Sequence, residues 1–401
     1  MPGIVVIGAG QAGCSLAARL RALGCQREIT LIGEENFPPY QRPPLSKKYV
    51  LGGMTPERLF LRPNSYYEEN RIGLVLGNTV ETIDRQGKTV FACGKKIPYS
   101  QLVLATGSHP RHLPKPVIRE MEGIYVMRNI ADAESIIPEF AKGGHVLIVG
   151  GGYIGLEAAA AAATAGLKVT VIEAAERILQ RVAARQTSDY FRTLHAGHGV
   201  DIRESVGLKS ISGCSRPERV HLSDGTELDV DFIIVGIGVD PSMSLAQKAG
   251  LETDVGIRVD ELGKTSDDSI WAAGDCASYM WKDMLIRQES VPNAIDMAEC
   301  VAENIMGANK AYVPKPWFWS DQYDVKLQIA GLNAGYDNVI ERMGESGVSF
   351  WYYRGGELLA VDAMNDARAY MIGKRLVEMG KSPSRDAIEN ASTDLKALLK
   401  T

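Results

Sequence analysis

The sequence predicts an α/β protein with two Rossmann-like domains and a smaller C-terminal α+β domain. The chain has 401 residues, and at about 100–200 residues per domain this length favours two or three domains. A strand, a glycine-rich turn, a helix and a second strand open the chain, and the same order returns at Gly150. Alternating apolar and polar residues near the C-terminus indicate antiparallel strands.

The composition is that of an ordinary folded protein. Hydrophobic residues make up 45% of the chain and charged residues 23%, which is too apolar for intrinsic disorder. The formal net charge of −5 argues against a nucleic-acid-binding protein, because such domains are usually strongly basic. Glycine is in excess, with 41 residues against an average of ~7%. The positions of these glycines therefore guide the interpretation.

The distribution of apolar residues, cysteines and histidines indicates the cellular compartment of the protein and whether it has a metal site. No uncharged apolar run reaches the ~18–20 residues of a membrane helix, and the apolar N-terminus lacks the basic start of a secretory signal. The six cysteines contain no CxxC pair, and such scattered thiols fit a reducing compartment. The six histidines are unpatterned. We therefore expect a cytoplasmic monomer or homodimer without a metal site, which binds neither nucleic acid nor a membrane.

The first glycine turn has the spacing of a dinucleotide-binding motif. A strand at 4–7 leads into the turn, a helix follows at 14–20, and a second strand at 28–32 precedes Glu34. In this motif the first glycine permits the tight turn, the second lets the backbone approach a pyrophosphate, and the third allows the helix to pack closely. The acidic residue accepts a hydrogen bond from a ribose hydroxyl. The predicted cofactor-binding residues are Gly8, Ala9, Gly10, Ala12, Gly13 and Glu34.

The second glycine turn repeats every part of the first. A strand at 145–149 precedes it, and a helix at 156–166 and a strand at 168–172 follow. The predicted cofactor-binding residues here are Gly150, Gly152, Tyr153, Ile154, Gly155 and Glu173. Two such sites predict two dinucleotides, and FAD with a nicotinamide cofactor is the simplest pair that reacts together. Glu173 favours NADH because a carboxylate repels a 2′-phosphate, although Arg177 and Arg181 nearby weaken this preference.

Two further strand ends connect the chain to a known family. Residues 102–107 form a strand that ends in Ala-Thr-Gly, and residues 265–275 end in Gly-Asp. With these motifs the chain resembles the FAD-dependent pyridine nucleotide oxidoreductases of the two-dinucleotide-fold superfamily, whose fold is glutathione-reductase-like. The resemblance implies that Asp275 bonds the ribityl chain of FAD. It also implies cofactor contacts at the strand ends, namely at Ala105, Thr106, Gly107 and Gly236.

The resemblance predicts three domains. A discontinuous FAD-binding domain comprises residues 1–109 and 240–316, and an inserted NAD-binding domain comprises residues 110–239. Residues 317–401 form the C-terminal α+β domain, with strands at 326–330, 348–353 and 358–362 and a helix at 367–378.

The segment 40–47 distinguishes between branches of the superfamily. Disulfide reductases need a cysteine pair beside the flavin, and the segment contains no cysteine. Segments 42–47, 289–294 and 316–323 instead resemble the NADH-dependent ferredoxin reductases, of the putidaredoxin reductase type, that serve bacterial cytochrome P450 and ring-hydroxylating dioxygenase systems. The resemblance therefore implies hydride transfer from NADH to FAD and single-electron transfer to a two-iron, two-sulfur ferredoxin.

The same resemblance assigns roles to individual residues. Lys47 is expected near the reactive edge of the flavin, paired with Glu157, and both are predicted catalytic residues. The other implied flavin contacts are Arg42, Val80, Arg128, Val291 and Trp319.

Two other interpretations of the sequence stay open. The electron acceptor could be oxygen, a rubredoxin or a nitrite-reductase component, or the chain could be a flavin-binding sensor of the apoptosis-factor type. The ferredoxin surface leaves little trace in one sequence, because electron-transfer contacts are small. Arg287, Trp319 and Lys326 are candidate docking residues.

Overall fold

The computed structural model describes residues 2–114, 117, 121–345 and 347–400. Within these residues it contains twenty-five strands and nine α-helices. The strands are β1 (Gly3–Ile7), β2 (Ile29–Ile32), β3 (Ile72–Val75), β4 (Val80–Asp84), β5 (Thr89–Ala92), β6 (Lys95–Leu104), β7 (Ser108–Pro110), β8 (Ile124–Val126), β9 (His145–Val149), β10 (Lys168–Glu173), β11 (Asp201–Glu204), β12 (Leu208–Ser212), β13 (Arg219–Leu222), β14 (Glu227–Asp229), β15 (Phe232–Val235), β16 (Val239–Pro241), β17 (Ile257–Arg258), β18 (Ile270–Ala272), β19 (Ala277–Trp281), β20 (Met284–Ile286), β21 (Trp317–Gln322), β22 (Val325–Gly331), β23 (Asn338–Met343), β24 (Val348–Arg354) and β25 (Glu357–Met364). The helices are α1 (Gln11–Ala22), α2 (Asn64–Glu69), α3 (Ile130–Lys142), α4 (Tyr153–Thr164), α5 (Arg185–Gly197), α6 (Ser244–Lys248), α7 (Val291–Ile305), α8 (Ala367–Met379) and α9 (Arg385–Glu389).

The chain divides into two compact units. The first unit comprises Met1–Gln41, Glu57–His109 and Val239–Pro316, and the second unit comprises Arg42–Pro56, Pro110–Gly238 and Trp317–Thr401. Residues 42–56, which the sequence places in the FAD-binding domain, group with the second unit. The division into three domains stays a prediction.

The first unit is built around a mainly parallel sheet. Strands β3, β2, β1 and β6 are parallel neighbours in that order, β18 also pairs with β6, and β5 and β4 continue the sheet as antiparallel strands. Residues 4–7 of β1 are all buried, as expected for a parallel strand covered on both faces. Helices α1 and α7 pack against each other and complete this core.

The register of this sheet brings three predicted motifs to one edge. Ile7, the last residue of β1, lies opposite Leu104 at the end of β6, and Leu104 in turn lies opposite Ala272 at the end of β18. The chain continues from these three ends into the first glycine turn, the Ala-Thr-Gly segment and the Gly-Asp turn. Ligands of parallel α/β sheets bind at this carboxyl edge.

The second unit contains a five-stranded parallel sheet with a similar design. The strand order is β11-β10-β9-β15-β8, and the central strand β9 is buried along its whole length. Val149 at the end of β9 lies opposite Ile172 of β10 and Val235 of β15. The second glycine turn, Glu173 and Gly236 therefore meet at the carboxyl edge of this sheet.

Two antiparallel sheets complete the second unit. Strands β12, β13 and β14 form a small sheet, and β21-β22-β25-β24-β23 form a five-stranded sheet on which α8 packs. The five-stranded sheet confirms the predicted C-terminal α+β part of the fold. Its apolar side chains share a core with Leu156 of α4 and Phe191 of α5, so the sheet packs directly on these two helices.

Within the residues described above, none of the helices has the length and apolar character needed to cross a lipid bilayer.

Candidate functional site

The first glycine turn requires glycine at two positions for steric reasons. Gly8 has a φ of +118°, and a Cβ atom added there would lie 2.0 Å from the carbonyl oxygen of Ala105. A Cβ atom at Gly13 would lie 2.0 Å from the carbonyl oxygen of Gly8. Both distances are far below van der Waals contact, so the turn can approach β6 and α1 only without these side chains.

Gly10 is different, because the space beside it is open. Apart from its two neighbours in the chain, no residue that the structure describes lies within 4 Å of a Cβ atom added at Gly10. Gly10 precedes α1 as its N-cap, and no described side chain caps the backbone N–H groups of the first helical turn. Free N–H groups at a helix N-terminus bind phosphate well. The turn therefore has both the room and the donors that a pyrophosphate needs.

The Ala-Thr-Gly segment and Asp275 lie beside this turn. The Ala105 N–H donates to the Ile7 carbonyl at 2.8 Å, and the Thr106 hydroxyl donates to the Ser242 carbonyl at 2.7 Å. The Asp275 carboxylate accepts a hydrogen bond of 3.2 Å from Ser108. A Cβ atom at the preceding Gly274 would come within 3.0 Å of the Ala12 side chain, so the Gly-Asp turn packs closely on α1.

Three other predicted flavin-site residues belong to the first unit. Glu34 is exposed two positions after β2, Val80 begins β4, and Val291 begins α7, where Ser290 caps the helix. Gly107 has a φ of +66° directly before β7. The contacts assigned to Glu34, Val80 and Val291 stay predictions.

The second glycine turn repeats the backbone geometry of the first. Gly150 has a φ of +109°, and a Cβ atom there would lie 2.5 Å from the Gly236 carbonyl oxygen. A Cβ atom at Gly155 would lie 2.0 Å from the Gly150 carbonyl oxygen. Gly152 is the N-cap of α4, and apart from its two neighbours in the chain no described residue lies within 4 Å of a Cβ atom added there. This turn also fits a pyrophosphate.

Glu173 is fixed to the second turn by two backbone donors. Its carboxylate accepts hydrogen bonds of 2.8 Å from the Gly151 N–H and of 2.8 Å from the Ala175 N–H. Tyr153 begins α4, and its ring contacts Phe318 with a centroid distance of 5.1 Å, whereas Ile154 is exposed. Burial raises the pKa of Tyr153 well above its ordinary value.

The Arg177 side chain makes hydrogen bonds inside the second unit. Its guanidinium is buried and donates to the Ser188 hydroxyl at 2.5 Å and to the Ala183 carbonyl at 2.8 Å. Arg181 is exposed and lies beside Gly238. The sequence alone leaves Arg177 as a candidate partner of a 2′-phosphate, but its guanidinium is already engaged.

The predicted catalytic pair is in contact within the second unit. The Lys47 ammonium lies 2.8 Å from the Glu157 carboxylate and also donates to the Pro43 carbonyl at 3.3 Å. Lys47 belongs to a π-helical turn, Leu45–Tyr49, and Glu157 lies in the first turns of α4. Their catalytic roles stay predictions.

Two buried serines that the sequence analysis did not identify complete the shell of Glu157. Ser46 donates to one carboxylate oxygen at 2.7 Å, and Ser320 of β21 donates to the other at 2.7 Å. Both serines are buried and lie inside segments that carry the family resemblance, next to Lys47 and Trp319. Their position beside these residues was the one signal that could have identified them.

The remaining predicted residues have defined contacts. Arg42 donates to the Arg128 carbonyl at 2.8 Å, and the Arg128 N–H donates to Asp132 at 2.9 Å. Trp319 contacts Trp317 with a centroid distance of 5.5 Å. Arg287 pairs with Glu289 at 2.5 Å and is only 15% exposed, so it is a poor docking residue.

The predicted flavin-site residues are distributed over both units. The first unit contains Gly8, Ala9, Gly10, Ala12, Gly13, Glu34, Val80, Ala105, Thr106, Gly107, Asp275 and Val291. The second unit contains Arg42, Lys47, Arg128, Glu157 and Trp319, together with all the predicted nicotinamide-site residues.

Comparison with known proteins identifies the family. Residues 2–298 match the family described as Pyridine nucleotide-disulphide oxidoreductase, and residues 317–399 match the family described as Reductase C-terminal. The chain belongs to the pyridine nucleotide-disulphide oxidoreductases. It is therefore an oxidoreductase with FAD and a nicotinamide dinucleotide as cofactors, and the predicted fold class, enzyme class and cofactors are confirmed.

Several members of this family are similar over the full length. Rhodocoxin reductase of Rhodococcus erythropolis is 42% identical, covering 98% of this chain and 93% of the relative. A ferredoxin–NAD(P)(+) reductase of a Sphingomonas species is 40% identical, covering 99% and 96%. The solved covalent complex of putidaredoxin reductase with putidaredoxin contains a chain that matches with a TM-score of 0.95 at 36% identity, covering 100% of this chain and 98% of that one.

Proposed function

We propose that this protein is an NADH-dependent ferredoxin reductase that delivers single electrons to a two-iron, two-sulfur ferredoxin. The observation that supports this most directly is the full-length similarity to reductases that are named for ferredoxin-type partners, including the C-terminal sheet. The predicted reductase function agrees with these names, and a ferredoxin partner follows from them.

The preference for NADH rests on the second glycine turn. Glu173 presents a carboxylate at the end of β10, where the dinucleotide fold places an adenine ribose. A 2′-phosphate would be repelled by this charge. Arg177 offers no compensation, because its guanidinium donates to Ser188 and Ala183.

FAD supplies the conversion between a two-electron hydride donor and a one-electron acceptor. The chain contributes positioning, through the steric fit of the two glycine turns and the N–H groups at the starts of α1 and α4. In this proposal Lys47 supplies a positive charge that stabilises negative charge during the reaction, and Glu157 holds the lysine in place.

The acceptor is proposed to be a metal carrier rather than a thiol. Segment 40–47 contains no cysteine, and Cys14, Cys25, Cys276 and Cys300 are buried. We propose that the ferredoxin serves a cytochrome P450 or a ring-hydroxylating dioxygenase. All six cysteines are free thiols, which favours a cytoplasmic location.

Anaerobic stopped-flow spectroscopy tests this function. NADH should bleach the flavin absorbance of the holoenzyme within milliseconds to seconds, whereas NADPH should act more slowly. A panel of two-iron, two-sulfur ferredoxins should then restore the absorbance in two one-electron steps. Fast reoxidation by oxygen or rubredoxin, with none by any ferredoxin, would contradict the proposed acceptor.

A further inference from the structure

A continuous chain of hydrogen bonds extends from Glu157 into the interior of the second unit. Ser320 contacts the Glu157 carboxylate, and the Gln322 side-chain nitrogen lies 3.2 Å from the Ser320 oxygen. The His195 Nε2 atom lies 2.8 Å from the Gln322 side-chain oxygen, and the Tyr323 hydroxyl lies 3.2 Å from His195 Nδ1. Four contacts thus connect the carboxylate with the tyrosine.

The inner members of this chain are withdrawn from solvent. Ser320, Gln322 and His195 are 0%, 1% and 0% exposed, respectively. A buried polar group without a partner costs free energy, so such groups are kept only where their hydrogen bonds are made. Two elements supply them: β21 presents Ser320 and Gln322 on the same face, at alternate positions, and α5 supplies His195.

The carboxylate determines the direction of every bond. An ionised carboxylate can only accept, so the single Ser320 hydroxyl proton must point to Glu157. Ser320 must then accept from the Gln322 amide nitrogen, which leaves the amide oxygen to accept from His195 Nε2–H. His195 Nδ1 is therefore unprotonated and accepts from the Tyr323 hydroxyl. All four donors point toward Glu157.

The protonation state of His195 agrees with this direction. Burial lowers the pKa of His195 to about 4, the Gln322 contact partly opposes this shift, and His198 adds to it. The imidazole is neutral at neutral pH and carries one proton. Burial also raises the pKa of Tyr323, so its hydroxyl keeps its proton.

Gln322 also determines whether this chain of hydrogen bonds can transfer protons. During turnover, a primary amide does not take up a proton at its oxygen and release another from its nitrogen. A proton therefore cannot pass from His195 through Gln322 to Ser320. The hydrogen-bond chain is suited to orienting the Glu157 carboxylate and not to transporting protons. Aligned donors polarise one another and strengthen the final bond to the carboxylate.

We propose that Ser320, Gln322 and His195 are positioning residues that fix the Glu157 carboxylate against Lys47. This inference rests on the proposed function only in assuming that the Lys47–Glu157 pair serves flavin reduction. The orientation itself is a property of the resting protein, so it can be measured without turnover.

Nitrogen NMR of the histidine-labelled holoenzyme measures the orientation directly. At pH 7 we expect a neutral His195 with an unprotonated Nδ1 and a protonated Nε2. Ser320→Ala should produce a mixture of tautomers, because the amide can then rotate. Tyr323→Phe should keep the wild-type tautomer, because the direction is set at the carboxylate end. A proton on Nδ1 in the wild-type protein would overturn the proposal.

Stopped-flow reduction by NADH measures the consequence for the site. Ser320→Ala should slow the limiting rate of flavin reduction about tenfold, the loss expected for a hydrogen bond to a charged group. Gln322→Met should slow it by a smaller factor, because it removes hydrogen bonds between neutral groups. The apparent Kd for NADH should change less than about twofold, since neither side chain belongs to the second glycine turn. Ser320→Thr, which keeps the hydroxyl, should recover most of the rate.

His198→Ala is the matched control. His198 is exposed and stacks on Tyr323 with a ring distance of 3.6 Å, but none of the four bonds includes it. It should leave the His195 tautomer and the reduction rate unchanged. A wild-type tautomer and rate in Ser320→Ala would refute the positioning role. If wild-type flavin were not reduced by NADH, the proposed function would fail, and the tautomer measurement would still decide the orientation.

Discussion

The two units bury different kinds of polar side chain. Among the described residues that are buried in the first unit, the polar ones are hydroxyls and amides: Ser108, Thr265, Ser269, Ser278, Gln288, Asn293 and Asn304. The second unit buries acidic, basic and histidine side chains as well: Glu139, His145, Glu157, Arg177, His195, Arg342 and Asp362. Buried charges are costly unless they are paired, so the stability of the second unit depends more strongly on the partners of its buried polar side chains.

The glycine turns of the two units are nevertheless alike. Gly8 and Gly150 share a positive φ, and Gly13 and Gly155 would each bring a Cβ atom within 2.0 Å of a carbonyl oxygen. The side chain two positions after the last glycine differs, because it is Ser15 in α1 and Glu157 in α4. A common backbone thus explains dinucleotide binding in both units, and the buried side chains make the units chemically different.

The largest predicted effect tests the likeness of the two turns. Gly13→Ala and Gly155→Ala should each lower the free energy of unfolding by more than about 3 kcal/mol, since neither carbonyl can move without displacing a strand end. Thermal denaturation of the apoprotein measures this loss. Gly10→Ala and Gly152→Ala are the controls: they should leave apoprotein stability within about 1 kcal/mol of wild type and weaken cofactor binding. Equal stability losses at all four positions would contradict the comparison.

The second-largest predicted effect is a pH dependence of the free energy of unfolding, caused by the buried carboxyl group of Asp362. One of its oxygens accepts from Thr187 at 2.7 Å and from the Tyr352 hydroxyl, and the other has no partner among the described residues. Burial raises the pKa of Asp362 from 3.8 to about 6. The folded state therefore holds this proton more tightly than the unfolded state, and the free energy of unfolding falls as pH rises from about 4 to about 6.

Asp362→Asn should remove this dependence and raise stability at pH 7 by up to about 3 kcal/mol, because no buried charge then forms. Melting temperatures of variant and wild type between pH 4 and pH 7 give the difference curve. Asp268→Asn in the first unit, where the side chain is fully exposed, is the control for the loss of one carboxylate charge. A flat difference for Asp362→Asn would show that the carboxyl keeps its ordinary pKa.

A smaller effect is expected at the buried cation that holds the C-terminal tail. Arg342 of β23 donates to the carbonyls of Ile388, Asn390, Ala391 and Thr393 at 2.7–3.0 Å. Arg342→Met should release residues 385–400, accelerate their proteolysis and lower stability by about 2 kcal/mol. Arg368→Met removes an exposed pair with Asp394 of the same tail and should cost less than about 1 kcal/mol. Equal proteolysis of both variants would contradict the anchoring role of Arg342.

The smallest effect separates the acidic residues of the two turns. Glu173→Ala should shift the ratio of kcat/KM for NADH over NADPH toward NADPH by about tenfold, the size of one lost charge interaction at a ribose. Steady-state kinetics with both cofactors measures the ratio. Glu34→Ala should leave the ratio unchanged if the first turn binds FAD. A shift with Glu34→Ala alone would reverse the assignment of the two turns.

Local sequence patterns were sufficient to predict the helices that follow the two glycine turns and the helix of the C-terminal part. The helix predicted at 14–20 lies within α1, and the helix predicted at 156–166 corresponds to α4, which begins earlier, at Tyr153, directly after its glycine cap. The helix predicted at 367–378 corresponds to α8. These elements were predictable because hydrophobic period, glycine spacing and strand ends are properties of neighbouring residues. The tail after Lys381 has no such pattern, and its contacts with Arg342 and with the C-terminal core join residues distant in sequence.

The sequence by itself determined the two glycine turns, the alternation of strands and helices, and the class of cofactor. It could also associate Lys47 with Glu157, through the family resemblance. Only the tertiary structure decided that hydrogen bonds connect Ser320, Gln322 and His195 to Glu157 of that pair. It also decided that the Arg177 guanidinium binds Ser188 inside the fold. The reason is physical: a steric requirement of the backbone recurs at fixed spacing, whereas a buried hydrogen-bond chain joins residues from α4, α5 and β21 that become neighbours only when the chain has folded.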